Sequence, residues 1–86
     1  MALTMMISGT AFASGAKMIG LERAKELAFA KAGVQASSVY LTKAKLDFDD
    51  GRYEYEVEFY HGALEYEISV DAYNGGILEF SAEYDD

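Results

Sequence analysis

From Lys43 to Phe80, apolar and acidic residues alternate almost without a break, between turn signals at Asp50-Gly51, His61-Gly62 and Asn74-Gly75-Gly76. Side chains on a strand point to opposite faces in turn, so a segment such as Tyr53-Glu54-Tyr55-Glu56-Val57-Glu58-Phe59 makes one oily face and one carboxylate face. This pattern fits an antiparallel sheet with one face packed and the other in water. It does not fit a helix bundle or a parallel sheet buried on both sides.

The turns predict how the strands pair. A two-residue Asp50-Gly51 loop suits a type I′ hairpin and places Phe48 opposite Tyr53, Leu46 opposite Tyr55 and Ala44 opposite Val57. The other face then matches Lys45 with Glu56 and Lys43 with Glu58, opposite charges across the ladder. A two-residue His61-Gly62 loop next sets Phe59 against Leu64, Val57 against Tyr66 and Tyr55 against Ile68. A three-residue Asn74-Gly75-Gly76 loop is expected to pair Val70 with Phe80 and Ile68 with Ala82, since register follows the buried face.

Before the strands, Gly20 introduces a helix over Leu21–Ala32, which Gly33 ends at the C′ position. Leu21, Ala24, Leu27, Ala28 and Ala32 share one arc, while Glu22, Arg23, Lys25 and Glu26 lie outside it. The alanines imply a helix lying close on a flat surface. Phe29 falls outside the arc and is expected to pack under the N-terminal arm or the following loop, a partner contact being the alternative. The fold class is therefore α+β, two layers, with one N-terminal helix packed on a four-stranded antiparallel meander sheet.

Residues 1–18 read differently. Ala2-Leu3-Thr4-Met5-Met6-Ile7, then small residues and Ala11-Phe12-Ala13, resemble the end of a secretory signal with an A-x-A cleavage site, or else an N-terminal arm of the domain. The first alternative starts the mature protein near Ser14 and places it outside the cytoplasm. The domain proper is expected over residues 19–86.

With 86 residues the chain has room for one modest core. A net charge of -8 argues against nucleic acid and anionic membrane as partners. The charge is lopsided: from Arg52 onward that arginine stands against Glu54, Glu56, Glu58, Glu65, Glu67, Asp71, Glu79, Glu83, Asp85 and Asp86. No stretch is long and apolar enough to span a bilayer.

Catalytic chemistry finds no constellation. There is no cysteine, and the single histidine, His61, stands at a glycine turn with no serine elbow near it. The carboxylates are many, but on an open solvated sheet nothing is expected to raise one pKa for acid–base work. Asp47-Phe48-Asp49-Asp50-Gly51 begins like an EF-hand loop, yet Gly51 stands where the fifth position needs an oxygen ligand, so it reads as a hairpin turn. The chain is expected not to be an enzyme and to carry no cofactor or metal.

One surface remains. On the outer face the expected register makes rows Lys43–Glu58–Glu65 and Lys45–Glu56–Glu67, with Glu54, Glu79 and Glu83 nearby. Such a face suits a cationic partner or a weak carboxylate calcium site, and equally a solvated surface that keeps the sheet soluble. Glu56, Glu58, Glu65 and Glu67, with the turn residues His61 and Asn74, are the candidate partner-binding residues.

Ile19-Gly20-Leu21 leading to Ala24, Ala28 and Ala32-Gly33-Val34, then Lys43 through Gly51, Tyr53 through Phe59, Tyr66-Glu67-Ile68 and Val70-Asp71-Ala72 through Gly75-Gly76-Ile77-Leu78, resemble the PepSY domain. The likeness covers about Ile19 to Phe80 and is a signature of fold, with no catalytic motif in it. PepSY domains occur in propeptides of thermolysin-like metalloproteases, where they are associated with inhibition and assisted folding, and in secreted or membrane-linked bacterial proteins. The resemblance implies a non-catalytic, extracytoplasmic binding module that inhibits a secreted or envelope peptidase in trans. The alternative is a cell-envelope scaffold, adhesion or sensor module acting through its sheet edge or acidic face, as a monomer or a weak edge-paired dimer.

Overall fold

The computed structural model describes residues 17–85. The N-terminal leader expected over residues 1–18 falls almost wholly outside them. Helix α1 (Leu21–Ala32) and a short 3-10 turn (Ala36–Ser38) precede four strands: β1 (Tyr40–Asp49), β2 (Arg52–His61), β3 (Leu64–Asp71) and β4 (Ile77–Tyr84). The strands form one sheet in the order β1-β2-β3-β4, each antiparallel to its neighbour. The α+β meander expected from the alternation is the fold observed.

Helix α1 has the predicted limits. Gly33 is left-handed at φ 74°, and its N–H and that of Val34 close back on the carbonyls of Ala30 and Phe29, a Schellman ending. The helix packs on β1, β2 and β3 through Ala24 and Ala28, both fully buried. At its entry the Ile19 N–H donates to the Ala72 carbonyl (2.8 Å) and the Gly20 N–H to the Tyr55 hydroxyl (3.2 Å), tying the helix start to the sheet. Phe29 reaches the sheet, and its expected packing under the N-terminal arm falls outside the described residues. It meets Phe59 edge-on at 5.1 Å, and Phe59 in turn stacks on Tyr66 at 4.9 Å. A large ring on the helix flank reaches the sheet because the alanines bring the helix axis close to it.

The first hairpin has the predicted register: Lys43↔Glu58, Ala44↔Val57, Lys45↔Glu56, Leu46↔Tyr55 and Phe48↔Tyr53 are paired. Asp50 and Gly51 both have positive φ, 53° and 77°, as a type I′ turn requires. Farther along, a bulge at Thr42 shifts the pairing between Leu41 and Lys43.

The other two connections differ from expectation. The second hairpin turns at Gly62-Ala63, with His61 paired to Leu64, so Phe59 faces Tyr66, Val57 faces Ile68 and Tyr55 faces Val70. A His61-Gly62 turn of type I′ would force a histidine to positive φ. With Gly62 first (φ 63°), as in a type II′ turn, every other residue keeps negative φ. The slip is two residues, so the same side chains stay inside.

The β3–β4 connection is longer than three residues and runs from Ala72 to Gly76. The Asp71 carboxylate accepts from the N–H groups of Tyr73 (2.8 Å) and Asn74 (3.0 Å), and Asn74 Oδ1 accepts from Gly76 N–H (2.7 Å). The backbones of Asp71 and Gly76 close the loop at 2.8 Å. Leu78 is then an extra residue, and the pairing shifts between Ser69 and Val70. Val70 therefore faces Ile77 and Ile68 faces Phe80, in place of Val70 with Phe80 and Ile68 with Ala82.

The core is Ala24 and Ala28 from the helix with Tyr55, Val57, Phe59, Tyr66, Ile68, Val70 and Ala72 from β2, β3 and the loop after β3. One helix does not cover four strands. On its side of the sheet Leu41, Leu46 and Phe48 of β1 and Phe80 and Tyr84 of β4 remain exposed.

Candidate functional site

Among the described residues no second layer covers the outer face of the sheet, and the observed register orders it into five rows. They read Asp49–Arg52, Asp47–Glu54–Asp71, Lys45–Glu56–Ser69–Glu79, Lys43–Glu58–Glu67–Ser81 and Tyr40–Tyr60–Glu65–Glu83. Strand alternation puts every second residue there, and in this chain the second residue is usually a carboxylate.

Glu56, Glu58, Glu65 and Glu67 are all brought together on this face, but not in the expected pairs. Glu58 faces Glu67 rather than Glu65, Glu56 faces Ser69 rather than Glu67, and Glu65 faces Tyr60 and Glu83. The cause is the two-residue slip at Gly62. His61 and Asn74 are not part of the face. His61 falls on the helix side at one end of the sheet. Asn74 belongs to the loop at the other end, roughly 24 Å away along an eight-residue strand. The Asn74 side-chain oxygen is already engaged in closing its own loop. Asp47, Asp71 and Ser69 join the face without having been singled out in the sequence. Their parity on the strands was the available signal, and it needed the correct register to become useful.

Two lysines temper the carboxylates. Lys43 Nζ lies 3.4 Å from Glu58 Oε2 and 3.8 Å from Glu56 Oε1, with its side chain less than half exposed. Such open pairs contribute only about 0–1 kcal/mol each. The Thr42 hydroxyl donates to the Glu58 carbonyl at 3.0 Å and steadies the bulge beside Lys43.

Glu54 is the most covered acid, 9% exposed, screened by neighbouring side chains rather than by a protein layer. Desolvation raises its pKa, followed by the charge of Asp49; a Ser69 hydrogen bond works in the opposite direction. Glu56 is raised by desolvation, then by its hydrogen bond and charge contact with Asp47, with Lys43 and Lys45 opposing. Glu65 is also raised, by desolvation and then by Asp85, Glu67, Glu58 and Glu83. Asp47, Glu54 and Glu56 each offer an oxygen within 4.8 Å of the others. That set can take a hard cation, with second carboxylate oxygens and water completing the six to eight ligands that calcium prefers.

An open sheet is expected to raise no carboxylate, yet partial desolvation and crowding by neighbouring acids raise these three, which makes stability depend on pH. In the unfolded chain they titrate at the ordinary glutamate value of 4.5, and in the fold they hold their protons to higher pH. Between the two values the folded state binds more protons. Stability therefore falls as pH rises through this window, and the penalty is complete above the raised values. We expect a higher thermal midpoint at about pH 5 than at pH 7.5, read by far-UV circular dichroism, and a flatter profile for Glu54→Gln. A midpoint that drops on acidification across that range would contradict the assignment.

The arrangement concentrates negative charge on one face of the sheet. Among the described residues no serine, histidine and carboxylate converge, and the acidic depressions, such as the one lined by Asp49, Asp50, Arg52, Glu54 and Glu79, are open to solvent.

The family described as "Peptidase propeptide and YPEB domain", PepSY, matches residues 18–80. A curated relative, the uncharacterized protein Spy1430 of Streptococcus pyogenes serotype M6, is 34% identical over 62 residues, covering 72% of this chain and 48% of its own length. The chain thus spans about half the length of that relative. No solved structure matches.

Proposed function

We propose that this chain, which belongs to the PepSY family, is an extracytoplasmic binding module that restrains a peptidase in trans. PepSY domains are in general non-catalytic modules, often associated with peptidases. The observation that carries the reading is the outer face, where Glu54, Glu56, Glu58, Glu65, Glu67 and Glu79 share one side of the sheet that no other described residues cover, against Lys43, Lys45 and Arg52. Acids facing acids across the ladder, Glu58↔Glu67 and Glu65↔Glu83, each cost some tenths of a kcal/mol in the free protein. A cationic partner surface would relieve that repulsion on docking and would speed encounter by steering.

The test is hydrolysis of a small chromogenic peptide by thermolysin-like and serine proteases, with and without the full chain. Saturable, dose-dependent inhibition with the chain intact on a gel is expected. Replacing both Glu58 and Glu67 with Gln should raise the half-inhibitory concentration several-fold and weaken its dependence on salt. Unchanged hydrolysis at high micromolar chain would overturn the reading and favour an envelope scaffold or sensor.

A further inference from the structure

The two edges of the sheet carry opposite charges in the same row. Lys45 on β1 and Glu79 on β4 end the row Lys45–Glu56–Ser69–Glu79, and both are exposed. Among the described residues neither forms an ion pair within 4.0 Å. Glu79 Oε1 receives only a long contact from the Ser69 hydroxyl, at 3.5 Å. On the helix side, the same edges hold the apolar groups that α1 leaves in water: Leu41 and Leu46 on β1, and Phe80, 45% exposed, and Tyr84 on β4.

The topology makes these edges complementary. With four antiparallel strands, β1 and β4 run in opposite directions. A copy displaced sideways by about 19 Å, four strand spacings, brings its β1 antiparallel to β4 of the first. In the register that continues the existing rows, Glu79 faces Lys45 and Ser81 faces Lys43 on the outer side. On the helix side Phe80 faces Ala44, whose small side chain leaves room for the ring between Leu41 and Leu46. The alternation of hydrogen-bonded and non-bonded pairs also continues unbroken, since neither bulge falls within these rows. In this register the bulges at Thr42 and Leu78 confine the regular contact to three pairs, Lys43–Lys45 against Glu79–Ser81.

We propose that copies of this chain join head to tail, β4 of one adding to β1 of the next. The inference does not rest on the peptidase reading. Two-fold pairing of β4 with itself about Ser81 would face Glu79 with Glu83, acid against acid. Two-fold pairing of β1 with itself would leave Phe80 and Tyr84 in water. The head-to-tail contact matches charge and covers apolar surface on both edges, and since it is heterologous it extends beyond a dimer. The net charge of -8 on each copy opposes close approach, so the association is weak and concentration-dependent.

Sedimentation equilibrium of the full chain from low micromolar to near-millimolar concentration tests it. The mass is expected to climb from the 9.5 kDa monomer past the dimer without a plateau. Lys45→Glu alone and Glu79→Lys alone should each stay monomeric, because each gives both edges the same sign. An equimolar mixture of the two should associate again. Circular dichroism checks that each variant is folded, and Phe80→Ser, which leaves the charges in place, is a second variant that should also stay monomeric. A wild-type mass fixed at the monomer, a closed dimer indifferent to Glu79→Lys, or a mixture that fails to associate would each overturn the proposal.

Discussion

Phe59→Ala is expected to cost about 3–5 kcal/mol, the range for emptying a buried aromatic site. Phe59 has no exposed surface, and it joins the two layers: Phe29 of the helix meets its edge at 5.1 Å and Tyr66 of β3 its face at 4.9 Å. Truncation removes the transfer energy of the ring and both aromatic contacts. The helix cannot settle into the space, because Ala24 and Ala28 already hold it close. A domain of this size has a total stability of about 4–13 kcal/mol, so the loss takes a large share of it and should move the unfolding midpoint to much lower denaturant. Urea unfolding followed by circular dichroism measures this. Phe29→Ala, at a half-buried position, should cost clearly less. Equal costs for the two would mean that the interface tolerates either vacancy and that Phe59 is not its centre.

The strength of that prediction depends on which parts of the fold could be read from residues alone. Asp50-Gly51 determined its hairpin because both residues accept positive φ and the flanking Lys43, Lys45, Glu56 and Glu58 agree with only one register. At His61-Gly62 a two-residue slip conserves the inside–outside pattern, so alternation could not distinguish the two pairings, and the choice fell to where one glycine best takes positive φ. The β3–β4 loop was less legible still. Its length depends on the Asp71 carboxylate capping Tyr73 and Asn74, and its register on the extra residue Leu78; both are local hydrogen-bonding outcomes with no signature in hydrophobic period. The candidate site inherits these differences. That Glu56, Glu58, Glu65 and Glu67 share a face follows from parity and survives any even slip. Which acid faces which does not, and so Glu56 meets Ser69 while Glu58 meets Glu67.

Ala28→Leu is expected to destabilise the domain by about 1–3 kcal/mol, through overpacking rather than through any change in helix preference. Alanine and leucine are both strong helix formers, so the exchange hardly alters the helix by itself. At residue 28, however, the methyl group is fully buried against the sheet, and the close approach it permits is what lets Phe29 reach Phe59. Three further carbons at that position must lift the helix or push neighbouring side chains off their rotamers. Ala30→Leu is the control, since Ala30 is exposed and its exchange should lie within about 0.5 kcal/mol of neutral. The comparison separates helix propensity from packing, and thermal or urea unfolding of the two variants reads it directly. A stabilised Ala28→Leu would show that the space between helix and sheet is underfilled. The close docking of the helix would then come from the backbone ties at Ile19 and Gly20, not from the small residues of α1.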